Sequence, residues 1–197
     1  ANLNSFTSDG PGTRFNASRF QQSLIPAFGH PSSDVAITAG LGGTYDWAPL
    51  LPTGRISVRT ETELLGYLDK VIQYEAQQDE NDIYDTPNKD WQKQVIHFAG
   101  GTTVVEQNDF QIKMNNLGTI ISNENFGGAV TKVYKTDSNP LDPTILASVT
   151  NRLENGVSLM SYLGHASATS SGFEVNLDEP INWNNAGKYP VMMVNSC

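Results

Sequence analysis

Two side chains in this sequence, each after an apolar run, could together do covalent chemistry on a carbonyl group. Cys197, the one cysteine, comes after Val191-Met192-Met193-Val194 and the dipeptide Asn195-Ser196. His165 comes after Val157-Ser158-Leu159-Met160-Ser161-Tyr162-Leu163 and Gly164. A thiolate can attack a carbonyl carbon and an imidazole can move the protons, so this pair is the minimum for cysteine nucleophilic catalysis. If the two runs are neighbouring parallel strands, their backbones lie about 4.8 Å apart and both residues share one edge of the sheet. Ligands bind outside the carboxyl ends of such strands. Each residue also has a plainer reading. A histidine after a strand-end glycine can be a surface loop residue, and a cysteine closing a strand can be a small packed hydrophobe. The shared register of the two strand ends sharpens the catalytic reading.

The elements that must hold this edge alternate along the chain. Thr60 and Glu63 have capping-box spacing, and Leu64, Leu65, Leu68, Val71 and Ile72 form an apolar stripe, which predicts a helix over 61–77. The polar stretch 78–91 reads as a loop. Val95–Ala99 reads as a buried strand stopped by Gly100-Gly101, and His97 within it as a hydrogen-bonded core histidine. Phe110, Met114, Leu117 and Ile121 predict a helix within 108–125, and Ala129–Tyr134 a strand. Asp142 as N-cap, Pro143 in the first turn, an apolar face of Ile145, Leu146, Val149 and Leu153, and Gly156 as the stop define another helix. Strands alternating with helices imply an α/β fold with a mostly parallel sheet covered on both faces. Residues 1–59 are dense in Gly and Pro and read as turns and loops, the trailing part of a unit whose beginning is absent.

Composition limits the partners. The net charge of −9 and the scattering of only 12 basic residues argue against nucleic acid and against an anionic membrane surface. No apolar run approaches the roughly 18–20 residues of a membrane-spanning helix. The first fifteen residues do not read as a signal peptide. With one cysteine there is no intramolecular disulfide and no thiolate-rich metal site.

Four segments together resemble the gingipain family of cysteine peptidases. They are Gly54-Arg55-Ile56, the helix end Val71-Ile72-Gln73-Tyr74-Glu75, the strand Val157–Leu163 running into Gly164-His165-Ala166-Ser167, and Tyr189-Pro190 leading through Val191–Val194 to Cys197. The resemblance covers about residues 33–197. It implies a caspase-like three-layer α/β sandwich made of two subdomains and incomplete at both ends. Residues 1–53 match the tail of the first subdomain, and 54–197 the first part of the second, catalytic one.

The same resemblance implies roles for individual residues. Cys197 matches the nucleophile and His165 the general acid/base. The backbone N–H groups of Ala166 and Cys197 match the oxyanion donors. Asp109, Leu163 and Asn195 match positions around the pocket for the first substrate side chain; Asp109 reads equally well as a helix N-terminal residue favoured by the dipole. Ala166 stands where the family usually has Gly. An acidic residue that assists the histidine in some members falls near Gly100, so that helper is expected to be absent.

The implied function is a secreted or surface cysteine endopeptidase acting on protein or peptide substrates, with the rest of its own polypeptide as a partner. A sortase-like transpeptidase of type IX secretion and a non-catalytic surface module that kept the fold are the alternatives. No cofactor is required. Some members hold a structural calcium, for which Asp137, Asn139 and Asp142 offer oxygens without the spacing of an EF-hand. Metal ligands at the active site are not expected. His30 reads as a loop residue, and Trp183 with the Asn-rich 182–185 as a loop or a cleft wall.

Overall fold

A continuous apolar strand can only be satisfied at the centre of a sheet covered on both faces, and Val95-Ile96-His97-Phe98-Ala99 occupies that place. The computed structural model describes residues 34–43, 49–56, 58, 60–79, 86–137, 139, 141–167, 172–173 and 182–196. His30, most of the turn-dense segment before residue 50 and Cys197 itself lie outside the described residues.

Among the described residues the main sheet has four strands, β1 (Gln94–Ala99), β2 (Ala129–Tyr134), β3 (Leu159–Leu163) and β6 (Val191–Asn195), in the order β2-β1-β3-β6. All three pairings are parallel. β4 (Ala166–Ser167) and β5 (Gly172–Phe173) form a separate antiparallel pair. Among the described residues the longer helices are α1 (Glu61–Asp79), α2 (Val104–Ile121) and α3 (Pro143–Asn155). The expected loop over 78–91 contains a helical turn at Thr86–Lys89, followed by a 3-10 turn at Asp90–Lys93 that buries Trp91.

Successive side chains of a strand point to opposite faces, and β1 divides accordingly. Ile96 and Phe98 join Val133, Met160 and Tyr162 under Val149 and Leu153 of α3. His97 faces the other way, under Met114 and Gly118 of α2. One helix therefore covers each face of β1, which is the three-layer arrangement the alternation of elements predicts. Burying a side chain such as Leu153, which is fully enclosed, contributes roughly 2 kcal/mol. Trp183 packs against this α3-side core from its loop.

The chain divides into two compact units, Ala1–Asp69 and Lys70–Cys197, with the division inside α1. In the first unit Arg55 grips Asp34 through two donors, at 2.9 and 2.6 Å. This fork holds the carboxyl of Asp34 below its usual range. In the second unit the last turns of α1 are fixed by Tyr189, whose hydroxyl donates to Gln73 at 2.7 Å, and by Tyr74 against the edge of Trp91. Leu65, Leu68 and Ile72 of the predicted α1 stripe stay exposed.

The sheet places the four strand ends in one row. Ala99 pairs with Tyr134 and with Leu163, and Leu163 pairs with Asn195. Backbone bonds continue one residue further, from Gly100 N–H to Leu163 and from Gly164 N–H to Asn195. The loops that leave β1, β3 and β6 therefore start level with one another, at the carboxyl edge.

Candidate active site

The β1–α2 connection is short and its geometry is set by glycine and threonine. Gly101 has φ +115°, a conformation that side chains rarely adopt, and a Cβ there would sit 2.8 Å from the backbone nitrogen of Gln107. Thr103 caps α2: its hydroxyl accepts from Glu106 N–H at 3.3 Å. The carboxylate of Glu106 returns to the loop. Its Oε2 accepts from Thr102 N–H (3.0 Å), the Thr102 hydroxyl (2.8 Å) and Thr103 N–H (3.1 Å). This is a complete capping box. Gln107, buried beside it, donates from Nε2 to the carbonyls of Gly101 and Asp137 and so ties this loop to the one after β2.

The other carboxylate oxygen meets the candidate acid/base. Glu106 Oε1 lies 3.3 Å from Nε2 of His165. Phe110, one turn along α2, presents an edge to the imidazole at 6.1 Å between centroids. The backbone of His165 is held by its neighbour, since the Tyr162 hydroxyl donates to the His165 carbonyl at 2.5 Å. The ring is 45% exposed, so solvent or a bound molecule can reach it.

Glu106 is ionised at any ordinary pH. Its carboxyl is lowered to about 2, first by the Thr102 hydroxyl, then by the N–H groups of Thr102 and Thr103, with His165 adding a smaller part. An ionised carboxylate only accepts hydrogen bonds. Nε2 of His165 is therefore the donor in this pair, and Glu106 the acceptor.

The resemblance implied that no acidic residue would assist His165, because the matching position falls near Gly100. The structure corrects this: Glu106, further along the same connection, supplies the carboxylate. Its signal was present in Thr103-x-x-Glu106 directly after a strand and two glycines. The predicted helix began at 108, and so left this capping box outside it; α2 in fact begins at Val104.

Of the other candidate residues, Leu163 and Asn195 are register partners at the ends of β3 and β6. Ala166 opens β4 opposite Phe173, and no described non-glycine residue has a positive φ, so alanine fits there without strain. Asp109 lies on the exposed side of α2 and pairs with Lys113 at 2.6 Å. Asp137 accepts from Asn139 N–H, and Asp142 caps α3 through Thr144. Among the described residues no group of three or more His, Cys, Asp or Glu side chains forms a metal site. His97 is enclosed in the core and bonds the Met114 carbonyl through Nδ1 at 3.2 Å. A cavity of about 670 Å³, lined in part by Trp91, Arg152, Gly156 and Lys188, opens at the opposite edge, where β1 and β3 begin.

An exposed imidazole set against a fixed carboxylate at the carboxyl edge of a parallel sheet is chemically able to pass protons. The chain belongs to peptidase family C25, the gingipain family of cysteine peptidases, whose family model matches residues 9–197. Its α/β sheet is the caspase-like arrangement of that family. No curated protein and no solved structure matches the chain. Among the described residues no helix is long and apolar enough to cross a membrane.

Proposed function

We propose that residues 54–197 carry the catalytic edge of a gingipain-type cysteine endopeptidase, with 1–53 as the tail of a preceding subdomain. Cys197 is the nucleophile and His165 the general acid/base. Glu106 orients the imidazole and stabilises it when it becomes charged. The thiolate attacks the scissile carbonyl. The backbone N–H groups of Ala166 and Cys197 receive the developing oxyanion, and His165 gives a proton to the leaving amine. Water then releases the acyl group with His165 as base. Leu163, Asn195 and Asp109 are the residues proposed to border the substrate side chain.

The observation that carries this reading is the Glu106–His165 pair at the level where β3 and β6 end. Cys197 follows Asn195 by the same sequence step as His165 follows Leu163, and those two strand ends are register partners. Such an enzyme works on protein substrates outside the cell or at its surface. Turnover of a peptide library by the complete protein tests the reading. Cys197→Ala should abolish cleavage, and His165→Ala should lower kcat by about 10²–10⁴-fold. Cleavage that survives intact in Cys197→Ala would overturn it.

A further inference from the structure

We infer that Thr102 is a positioning residue for the proposed reaction: its hydroxyl fixes which oxygen of Glu106 faces His165, and so makes the cap of α2 and the orienter of the imidazole one and the same carboxylate. The inference rests on the catalytic reading of His165.

A carboxylate can present either oxygen, or both, to a neighbour. Here the choice is made by the loop. Oε2 receives three donors within 3.1 Å, two of them from Thr102. An oxygen has about two lone-pair sites, so Oε2 is saturated and cannot also serve the imidazole. Oε1 remains, and it is the atom 3.3 Å from His165 Nε2.

The backbone half of this grip comes with any residue at position 102. The hydroxyl is the part that the sequence chose, at 2.8 Å the shortest of the three bonds. Without it, Oε2 keeps the two N–H donors of the cap but loses the shortest of its three bonds. The carboxylate is then held less firmly against rotation, and the orientation it gives the ring is less sharply set. Both donors of Thr102 go to Glu106, so its effect is expected to pass through that carboxylate. Among the described residues His165 is the titratable group set against this carboxylate, and Asp109 on the same helix is held by Lys113.

The test compares Thr102→Val and Thr102→Ser with the wild type in the complete protein. Thr102→Val keeps the shape and the backbone donors; Thr102→Ser keeps the hydroxyl. The carboxyl carbon of Glu106 and the ring nitrogens of His165 are followed by NMR as pH is lowered. In Thr102→Val the Glu106 titration should move up in pH and the Nε2-protonated signal of His165 should weaken. Thr102→Ser should match the wild type in both. In turnover, Thr102→Val should lower kcat by about tenfold with KM unchanged, as expected for loss of one charge-assisted bond. A Glu106 titration and a His165 tautomer in Thr102→Val identical to wild type would overturn the role of Thr102. A wild-type protein that cleaves nothing would count against the peptidase reading alone, since the two NMR readouts need no turnover.

Discussion

Glu106 Oε1 and His165 Nε2 are 3.3 Å apart across the gap between the start of α2 and the end of β3. The two residues are joined by no local structure; the sheet register brings them together, because Ala99 and Leu163 end their strands side by side. A helix cap thereby becomes part of the chemistry. Replacing Glu106 by Gln keeps the size and an acceptor but removes the charge. The expected result is a fall in kcat of about ten- to a hundredfold, the worth of a hydrogen bond to a charged group. Steady-state kinetics of the complete enzyme checks this, and a loss confined to KM would contradict it.

The same carboxylate makes stability depend on pH. Its folded-state value is about 2, against 4.5 for an unperturbed group, so the unfolded chain takes up the proton first as pH falls. A depressed carboxyl stabilises above its unfolded value. The contribution is therefore fully present above about pH 4.5 and is lost as pH falls toward 2. Thermal melts of wild type and Glu106→Gln should differ by a constant amount above pH 5 and converge in acid. A difference that persists unchanged to pH 2 would contradict the cap.

His97 should act on stability rather than on rate. It is fully enclosed, and burial pushes its imidazole below the ordinary value, opposed by the Met114 carbonyl and aided by Lys132. The unfolded chain then binds a proton that the folded one refuses, so stability is lost as pH falls through about 6.5. His97→Gln should remove that dependence, cost roughly 1–3 kcal/mol of stability, and leave kcat nearly unchanged. Denaturant melts at pH 7.5 and 5.5, paired with turnover, separate the two effects. A dead but stable His97→Gln would mean that the catalytic histidine has been misassigned.

Gly101→Ala probes the connection itself. The substitution puts a Cβ against the Gln107 backbone nitrogen at a positive φ. Strain of this kind costs about 1–3 kcal/mol, and relieving it would pull the Thr102–Thr103 donors from Glu106. Lower melting temperature together with lower kcat is expected. Wild-type values for both would show that the loop does not hold the carboxylate.

Much of this architecture could be read from the residues. α3 was legible at both ends because Asp142, Pro143 and Gly156 each carry a local reason to start or stop a helix, and all three act as expected. The parallel sheet was legible because β1 and β3 are apolar runs bounded by glycine. The start of α2 was not. Val104 and Val105 are 66% and 79% exposed, so the apolar residues of its first turn point to solvent and blur the helical stripe. The partnership of Glu106 was hidden for a different reason: it depends on strand register, which spacing along one segment does not reveal. β4 and β5 span two residues each, too short for any alternation to show.

If the imidazole of His165 activates the thiol of Cys197, the pH dependence of alkylation reveals it. In the complete protein the rate of reaction with iodoacetamide should stay high below neutral pH. In His165→Ala it should fall to the profile of an ordinary thiol, with a midpoint near pH 8.5. A wild-type profile that already follows the ordinary thiol titration, and that His165→Ala leaves unchanged, would contradict the account.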